Sequence, residues 1–211
     1  MRLKIAILAC VFALVAPSAI ARAFVDSTSA CDAVPRDVWD SAKAGNLDAQ
    51  VVAAHAIVQL ECGTSPELLA QGMTWLNRAI EQGHLGASVS MAMLYHLGGA
   101  VEPGLEKAVT FYRHAAEGNV VDAQHTLGVL LVSNGDPEDR DEGLYWLGAA
   151  AGLGDGVSAA FLGILHAEGL HGIESNSSLA LDWYEASLLL DAPVPVQSFI
   201  ESLTSNVRSS C

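Results

Sequence analysis

The chain has 211 residues, 51% hydrophobic and 16% charged, with a mean hydropathy of +0.34, which is too apolar for a disordered segment and long enough to bury a core. Asp and Glu number 24 against 10 Lys and Arg, for a formal charge of −14. That balance repels phosphate backbones and anionic lipid surfaces, so nucleic acid is excluded as a partner class.

In chain order, the first signal is an export segment. Arg2 and Lys4 precede an apolar stretch from Ile5 to Ala16, followed by Pro17-Ser18 and the small-x-small site Ala21-Arg22-Ala23. A membrane span wants about 20 apolar residues, and this run is shorter. Residues 1–23 therefore read as a signal peptide cut after Ala23, or after Ala21. The mature chain is then periplasmic or secreted, with no stable membrane anchor. Ile7-Leu8-Ala9-Cys10 looks like a lipoprotein box, but only five apolar residues separate Lys4 from Cys10 and the run continues past it. Cleavage without lipidation is the preferred reading.

Three cysteines follow: Cys31, Cys62 and Cys211. In an oxidising compartment one pair closes and one thiol is left over. Cys31 precedes the first helix signal and Cys62 closes the next one, so Cys31–Cys62, tying the N-terminal arm to the first repeat, is favoured. Cys211 is then either a free thiol or a link between two chains. No Cys-x-x-Cys occurs, so a thioredoxin-like site is not indicated.

Residues 24–44 read as an arm and a short capping helix, Pro35 to Ala44, carrying Val38 and Trp39. Residues 45–192 contain one unit four times. A small residue opens each unit: Ala49, Ala87, Ala123 and Ser158. An aromatic stands in its second half, at Trp75, Phe111, Trp146 and Trp183, and another small residue follows four positions later, at Ala79, Ala115, Ala150 and Ser187. Self-similarity at this period marks a stacked array whose units bury their apolar faces on one another. Small and apolar residues at offsets 0, 4, 5 and 8 predict a first helix in each unit. The aromatic predicts a second helix, and is expected to fill the space between neighbouring units. Loops are expected at Gly63–Pro66, Gly98–Gly104, Ser133–Asp139 and Gly169–Asn176. Second helices are expected to start at Ser65-Pro66, at the capping-box pattern Asp139-Arg-Asp-Glu142, and at Asn176. Gly45, Gly83, Gly118 and Gly154 are expected to supply the left-handed residue that ends a helix. Pro193-Val-Pro195 breaks the array. In residues 193–211, Val196, Phe199, Ile200, Leu203 and Val207 then form the stripe of an amphipathic C-terminal capping helix.

Gly83-His-Leu-Gly-Ala87 with Met91-Ala92 and Tyr95, followed by Glu106-Lys107-Ala108 and Phe111-Tyr112-Arg-His-Ala115-Ala116-Glu117, resembles a Sel1-like repeat, a relative of the tetratricopeptide repeat. Ala123-Gln-His-Thr-Leu127-Gly128 with Trp146, and Ser158 to Leu162-Gly163 with Trp183-Tyr184, resemble the same consensus. The likeness covers about residues 45–190. It implies an all-α fold: a right-handed α-solenoid of about four helix-turn-helix repeats with N- and C-terminal capping helices. It also implies an adaptor or regulator that presents a concave surface to another protein. Exported bacterial members of this type are commonly linked to envelope, signalling or motility assemblies. The cysteine-rich secreted branch staples each repeat with disulfides, but repeats two to four here have no cysteine, so neither that scheme nor the β-lactam-directed activity suggested for that branch is carried over.

Motifs of catalysis are sparse. There is no Gly-x-Ser-x-Gly, no Ser-x-x-Lys and no His-Glu-x-x-His. His166-Ala-Glu168 lacks the Cys-x-x-Cys half of a zinc deaminase signature. His166 and His171, near Glu168 and Glu174, match no strong metal template. The acidic run from Asp136 to Glu142 lacks calcium-loop order and reads as a solvated loop with a helix cap. The expectation is a non-enzyme without catalytic residues, metal or cofactor.

The first helices carry the candidate site. Their offsets +2, +3 and +6 point away from the packing face and place Val51, Val89, His125 and Ala160 in one column, Val52, Ser90, Thr126 and Phe161 in a second, and His55, Met93, Val129 and Ile164 in a third. A solvated concave face should be polar, and this one is largely apolar. Either it is an open partner-binding groove, anchored by Met93, Val129 and Ile164, or the C-terminal helix folds back over it. An amphipathic helix or a basic segment of a partner protein would suit the open form. The leading function is an exported protein-protein interaction scaffold. The alternatives are a cell-wall or β-lactam-directed hydrolase, and a structural subunit dimerised through Cys211.

Overall fold

The computed structural model describes residues 34–59, 66–98, 101–134, 136–190, 192 and 196–209. The export segment 1–23, the Cys31–Cys62 pairing, Cys211 and the Ser65 cap lie outside them. The chain divides into two compact units, one reaching Val120 and one starting at Val121. The first holds α1 (Arg36–Lys43), α2 (Leu47–Gln59), α3 (Pro66–Glu81), α4 (Leu85–Leu97) and α5 (Leu105–Glu117). The second holds α6 (Val121–Asn134), α7 (Pro137–Gly152), α8 (Gly156–Glu168), a 3-10 turn (Leu170–Gly172), α9 (Ser177–Leu189) and α10 (Gln197–Ser209). No strand occurs among the described residues. The fold is all-α, of the α-solenoid class, with two helices to each repeat.

One turn chemistry joins repeat to repeat. After α1, α3, α5 and α7 the closing backbone bonds run Asn46→Ser41, His84→Ala79, Val120→Ala115 and Asp155→Ala150, at 3.0–3.2 Å in three cases and 2.9 Å for His84. These are the long bonds of a Schellman turn. They require a left-handed residue just before the donor. Gly45, Gly83 and Gly154 supply it, with φ of +96, +81 and +99°. The third turn corrects the sequence expectation: Gly118 has φ −83°, and Asn119 takes the left-handed place with φ 62°. Gly118 is needed for space instead, since a Cβ there would lie 2.3 Å from Leu85 Cδ1. Asparagine tolerates the left-handed region less well than glycine. Asn119→Gly is therefore expected to stabilise the protein by about 0.5 kcal/mol, and Asn119→Ala to destabilise it by about 1 kcal/mol, in thermal melts.

At three of these four turns the donor of the closing bond also caps the next helix with its side chain. Asn46 Oδ1 accepts from the Ala49 amide at 2.9 Å, His84 Nδ1 from Ala87 at 3.3 Å, and Asp155 from Val157 and Ser158 at 3.3 and 3.0 Å. Within repeats, Asn176 caps α9 as expected, accepting from Leu179 at 3.1 Å. The α7 cap is Asp136, which accepts from Glu138 at 2.8 Å. That corrects Asp139: the N-cap lies three residues before the expected one, and Pro137 starts the helix. Asp139 instead takes a bond from Asn134, and Glu142 accepts from Trp146 Nε1 at 3.0 Å.

Packing follows the small-residue columns. Ala79, Ala115, Ala150 and Ser187 are fully buried, as are Ala87, Ala123 and Ser158. The aromatic column is divided, with Trp75 and Trp146 buried in repeats one and three. Phe111 and Trp183 are only half-buried. The next residue along, Leu76, Tyr112, Leu147 or Tyr184, is at most 3% exposed in every repeat. Burial pushes both tyrosine pKa values up. In the first unit α1 closes the end: Trp39 packs on Trp75 with ring centroids 6.4 Å apart. Tyr95 and Phe111 stack at 6.0 Å, with Lys107 Nζ 4.8 Å above the Tyr95 ring. In the second unit α10 closes the end. Val196 is buried beside Ala160, Ile164, Ala180 and Tyr184, and Phe199, Ile200 and Leu203 pack on them. Phe199 stacks on Tyr184 at 5.6 Å.

Candidate functional site

In the first unit the columns of α2 and α4 meet side by side. His55 Nδ1 lies 2.9 Å from Ser90 Oγ. The Ser90 hydroxyl donates to the Gly86 carbonyl at 3.1 Å, so its oxygen is left to accept from the imidazole. One turn on, Gln59 Nε2 donates to Met93 Sδ at 3.0 Å. Desolvation lowers the His55 pKa, although its side chain still reaches solvent. Ser90 is buried, Met93 is half-buried, and Val52 is 47% exposed. This half of the candidate groove is thus a hydrogen-bonded seam flanked by Val52 and Met93.

The second unit differs. Thr126 is half-buried and donates to its own helix at the Asp122 carbonyl, 2.8 Å away. Val129 is half-buried against Val132, Leu147, Phe161, Leu162 and Leu165. Phe161 and Ile164 are 7% and 5% exposed. Ile164 sits under α10, so the view of it as an open groove anchor is corrected: the amphipathic C-terminal helix folds back and uses that surface. The apolar all-round character of α8 has this as its physical reason.

The +2 column holds a contact that the columns +3 and +6 did not reveal. His125 Nδ1 is 2.7 Å from Ser158 Oγ and 3.2 Å from Asp155 Oδ2. The Ser158 hydroxyl donates to the same carboxylate oxygen. Burial pushes the Asp155 carboxyl up, but the bonds from His125 and Ser158 and the imidazole's charge outweigh it and bring the pKa down to about 2. The signal was in the sequence: Asp155 stands three residues before the small opener, as Asn46 and His84 do, one residue after the turn glycine.

A Ser-His-Asp set invites a hydrolase reading, and the geometry answers it. A nucleophilic triad needs the two imidazole nitrogens divided between serine and aspartate. Here one nitrogen, Nδ1, faces both partners, and Ser158 is fully buried. The set clasps α6 to α8. Asp155→Ala is expected to cost about 2 kcal/mol through the lost cap and clasp. The carboxyl is held below its ordinary 3.8, so its contribution is fully present above that value and is lost as pH falls from about 4 towards 2. In melts, the gap between the protein and Asp155→Asn should close as pH falls from about 4 towards 2.

A third histidine clasp joins Ser88 Oγ to His114 Nδ1 at 2.7 Å. Burial lowers the His166 pKa, against a raising bond with Glu174. Among the described residues, no three or more His, Cys, Asp or Glu gather in a metal-holding group, and no helix is long and apolar enough to cross a membrane.

Comparison with known proteins gives the arrangement its relatives. Residues 63–84, 87–120, 121–155 and 156–191 each match the Sel1 repeat. No curated protein matches the chain. Among solved structures, it is similar to a protective antigen present in uropathogenic Escherichia coli strains that displays an SLR fold. The identity is 27% and the TM-score 0.59, over 72% of this chain and 32% of the other, so the chain spans about a third of that relative's length. It also shares its fold with a Sel1 repeat protein from Oxalobacter formigenes, at 22% identity and TM-score 0.55, over 77% and 68% of the two chains. Sel1 repeat proteins generally mediate protein–protein interaction and are typically non-catalytic scaffolds. The four tandem matches run from α3 to α9, and the chain belongs to the Sel1 repeat family.

Proposed function

We propose that this chain is an exported, non-enzymatic scaffold or regulator of a cell-envelope, signalling or motility assembly, and that it holds a segment of a partner protein against the α2–α4 seam. One observation carries the reading. His55, His114 and His125 are engaged with Ser90, Ser88 and Ser158 in clasps between helices, while Val52 and Met93 stay accessible beside the seam. An accessible apolar edge with hydrogen-bonding groups between its anchors suits an amphipathic helix. Export is supported by Arg2, Lys4, the run Ile5 to Ala16 and the Ala21-Arg22-Ala23 site. The disulfide Cys31–Cys62 would follow from export.

The test is crosslinked capture from envelope extract by residues 24–211, beside Val52→Asp/Met93→Asp. Both positions reach solvent, so the double variant is expected to fold and to lose the partner. A partner held equally by both proteins would move the site elsewhere. Absence of any crosslinked partner would remove the scaffold reading. Mass spectrometry of the exported chain should find Phe24 at its N-terminus.

A further inference from the structure

The second unit carries a surface that repeat packing leaves unused. At the end of α9, Leu188, Leu189 and Leu190 are exposed by 42, 85 and 36%. A run of three exposed leucines is an apolar patch of the kind that marks contact sites. Asp182, Glu185 and Leu189 lie a turn apart on one face of α9, and both carboxylates are exposed.

Charge says what would cover the patch. Between Arg140 and Arg208 the sequence has no lysine or arginine and nine aspartates and glutamates. Exposed leucines and two exposed carboxylates thus sit together on α9, and their complement is a cation presented beside apolar side chains.

We propose that the C-terminal end of α9 docks a cationic amphipathic helix of another protein. Its apolar residues would lie on Leu188 and Leu189, and its Lys or Arg residues on Asp182 and Glu185. This rests on the reading of the chain as an interaction module and adds a second surface with its own partner chemistry. Anionic lipid is repelled by the same charges, so a membrane is the disfavoured occupant.

The test is fluorescence anisotropy with a labelled Leu/Lys amphipathic peptide and the purified chain. A Leu/Glu peptide with the same apolar face and phosphatidylcholine vesicles serve as comparisons. The Leu/Lys peptide should bind, and more weakly as salt is raised. Leu188→Ser/Leu189→Ser and Asp182→Asn/Glu185→Gln should each weaken it about tenfold, the second also flattening the salt dependence. Glu102→Gln/Glu106→Gln, on the first unit, should leave it unchanged. All these positions are exposed, and circular dichroism would confirm that each variant is folded. No binding, equal binding of the Leu/Glu peptide, preference for vesicles, or indifference to both α9 variants would each overturn the proposal. Failure of the peptide to bind, with an envelope partner still captured at the α2–α4 seam, would remove this site and leave the scaffold reading intact.

Discussion

Gly128→Ala is expected to destabilise the second unit by about 3 kcal/mol, because one methyl group has nowhere to go. A Cβ at Gly128 would stand 2.8 Å from the Gly143 carbonyl oxygen, 3.0 Å from the Leu147 amide and 2.6 Å from Leu147 Cγ. Two of those neighbours are backbone, so no rotamer change relieves them. The contact is mutual: a Cβ at Gly143 would meet the Gly128 oxygen and the Val132 amide at 2.8 Å each. Helices α6 and α7 therefore touch backbone to backbone, and separating them would open the cluster of Val132, Leu147, Phe161, Leu162 and Leu165. Gly148, on the same α7, has nothing within 4 Å of its ideal Cβ. Gly148→Ala should accordingly stabilise the protein by about 0.5–1 kcal/mol through helix propensity. Denaturant melts of the two variants should move in opposite directions; a shared direction would refute the close-approach account.

Ile164→Asp is the second large effect, with an expected loss of about 4 kcal/mol or more. Ile164 is 5% exposed, packed with Tyr184 and Val196 and covered by Phe199, Ile200 and Leu203. A carboxylate there would be charged without a partner, or protonated and still wrongly shaped. Either way α10 should detach. Val52→Asp, at a position 47% exposed, should change stability by less than about 0.5 kcal/mol. Equilibrium unfolding of the pair separates a covered column from an open one. If Ile164→Asp folds as well as Val52→Asp, α10 does not seal the second unit. The contrast also matters for function, because a binding defect in Ile164→Asp would report unfolding.

Local chemistry was legible in the residues. The period of about 36 residues, the small columns through Ala79 and Ala87, the Asn176 cap and three of the four left-handed glycines follow from rules that act within a helical turn. The misreadings were also local, and each had a competitor nearby. Asp136-Pro137 is a stronger helix start than Asp139, since proline at the first helical position needs no amide partner. Asn119 could replace Gly118 in the left-handed place because the turn needs one such residue and asparagine tolerates it. The buried ring in repeats two and four is Tyr112 or Tyr184, one step beyond the noticed aromatic. A period identifies a helix and its repeat, but a step of one residue turns the side chain by about 100° around the axis.

The candidate site was less legible, for a reason of range. Val52, His55, Ser90, Met93, Thr126, Val129, Phe161 and Ile164 were equivalent by offset within their repeats. Their surroundings depend on what packs across them. In the first unit that is the neighbouring α4, which answers His55 with Ser90. In the second unit it is α10, which folds back onto Ile164. The sequence by itself determined an acidic all-α array of paired helices, because periodicity, caps and turn glycines are written within each unit. Only the tertiary structure decided which apolar columns stay open, because burial depends on segments distant in the chain that compete for the same surface.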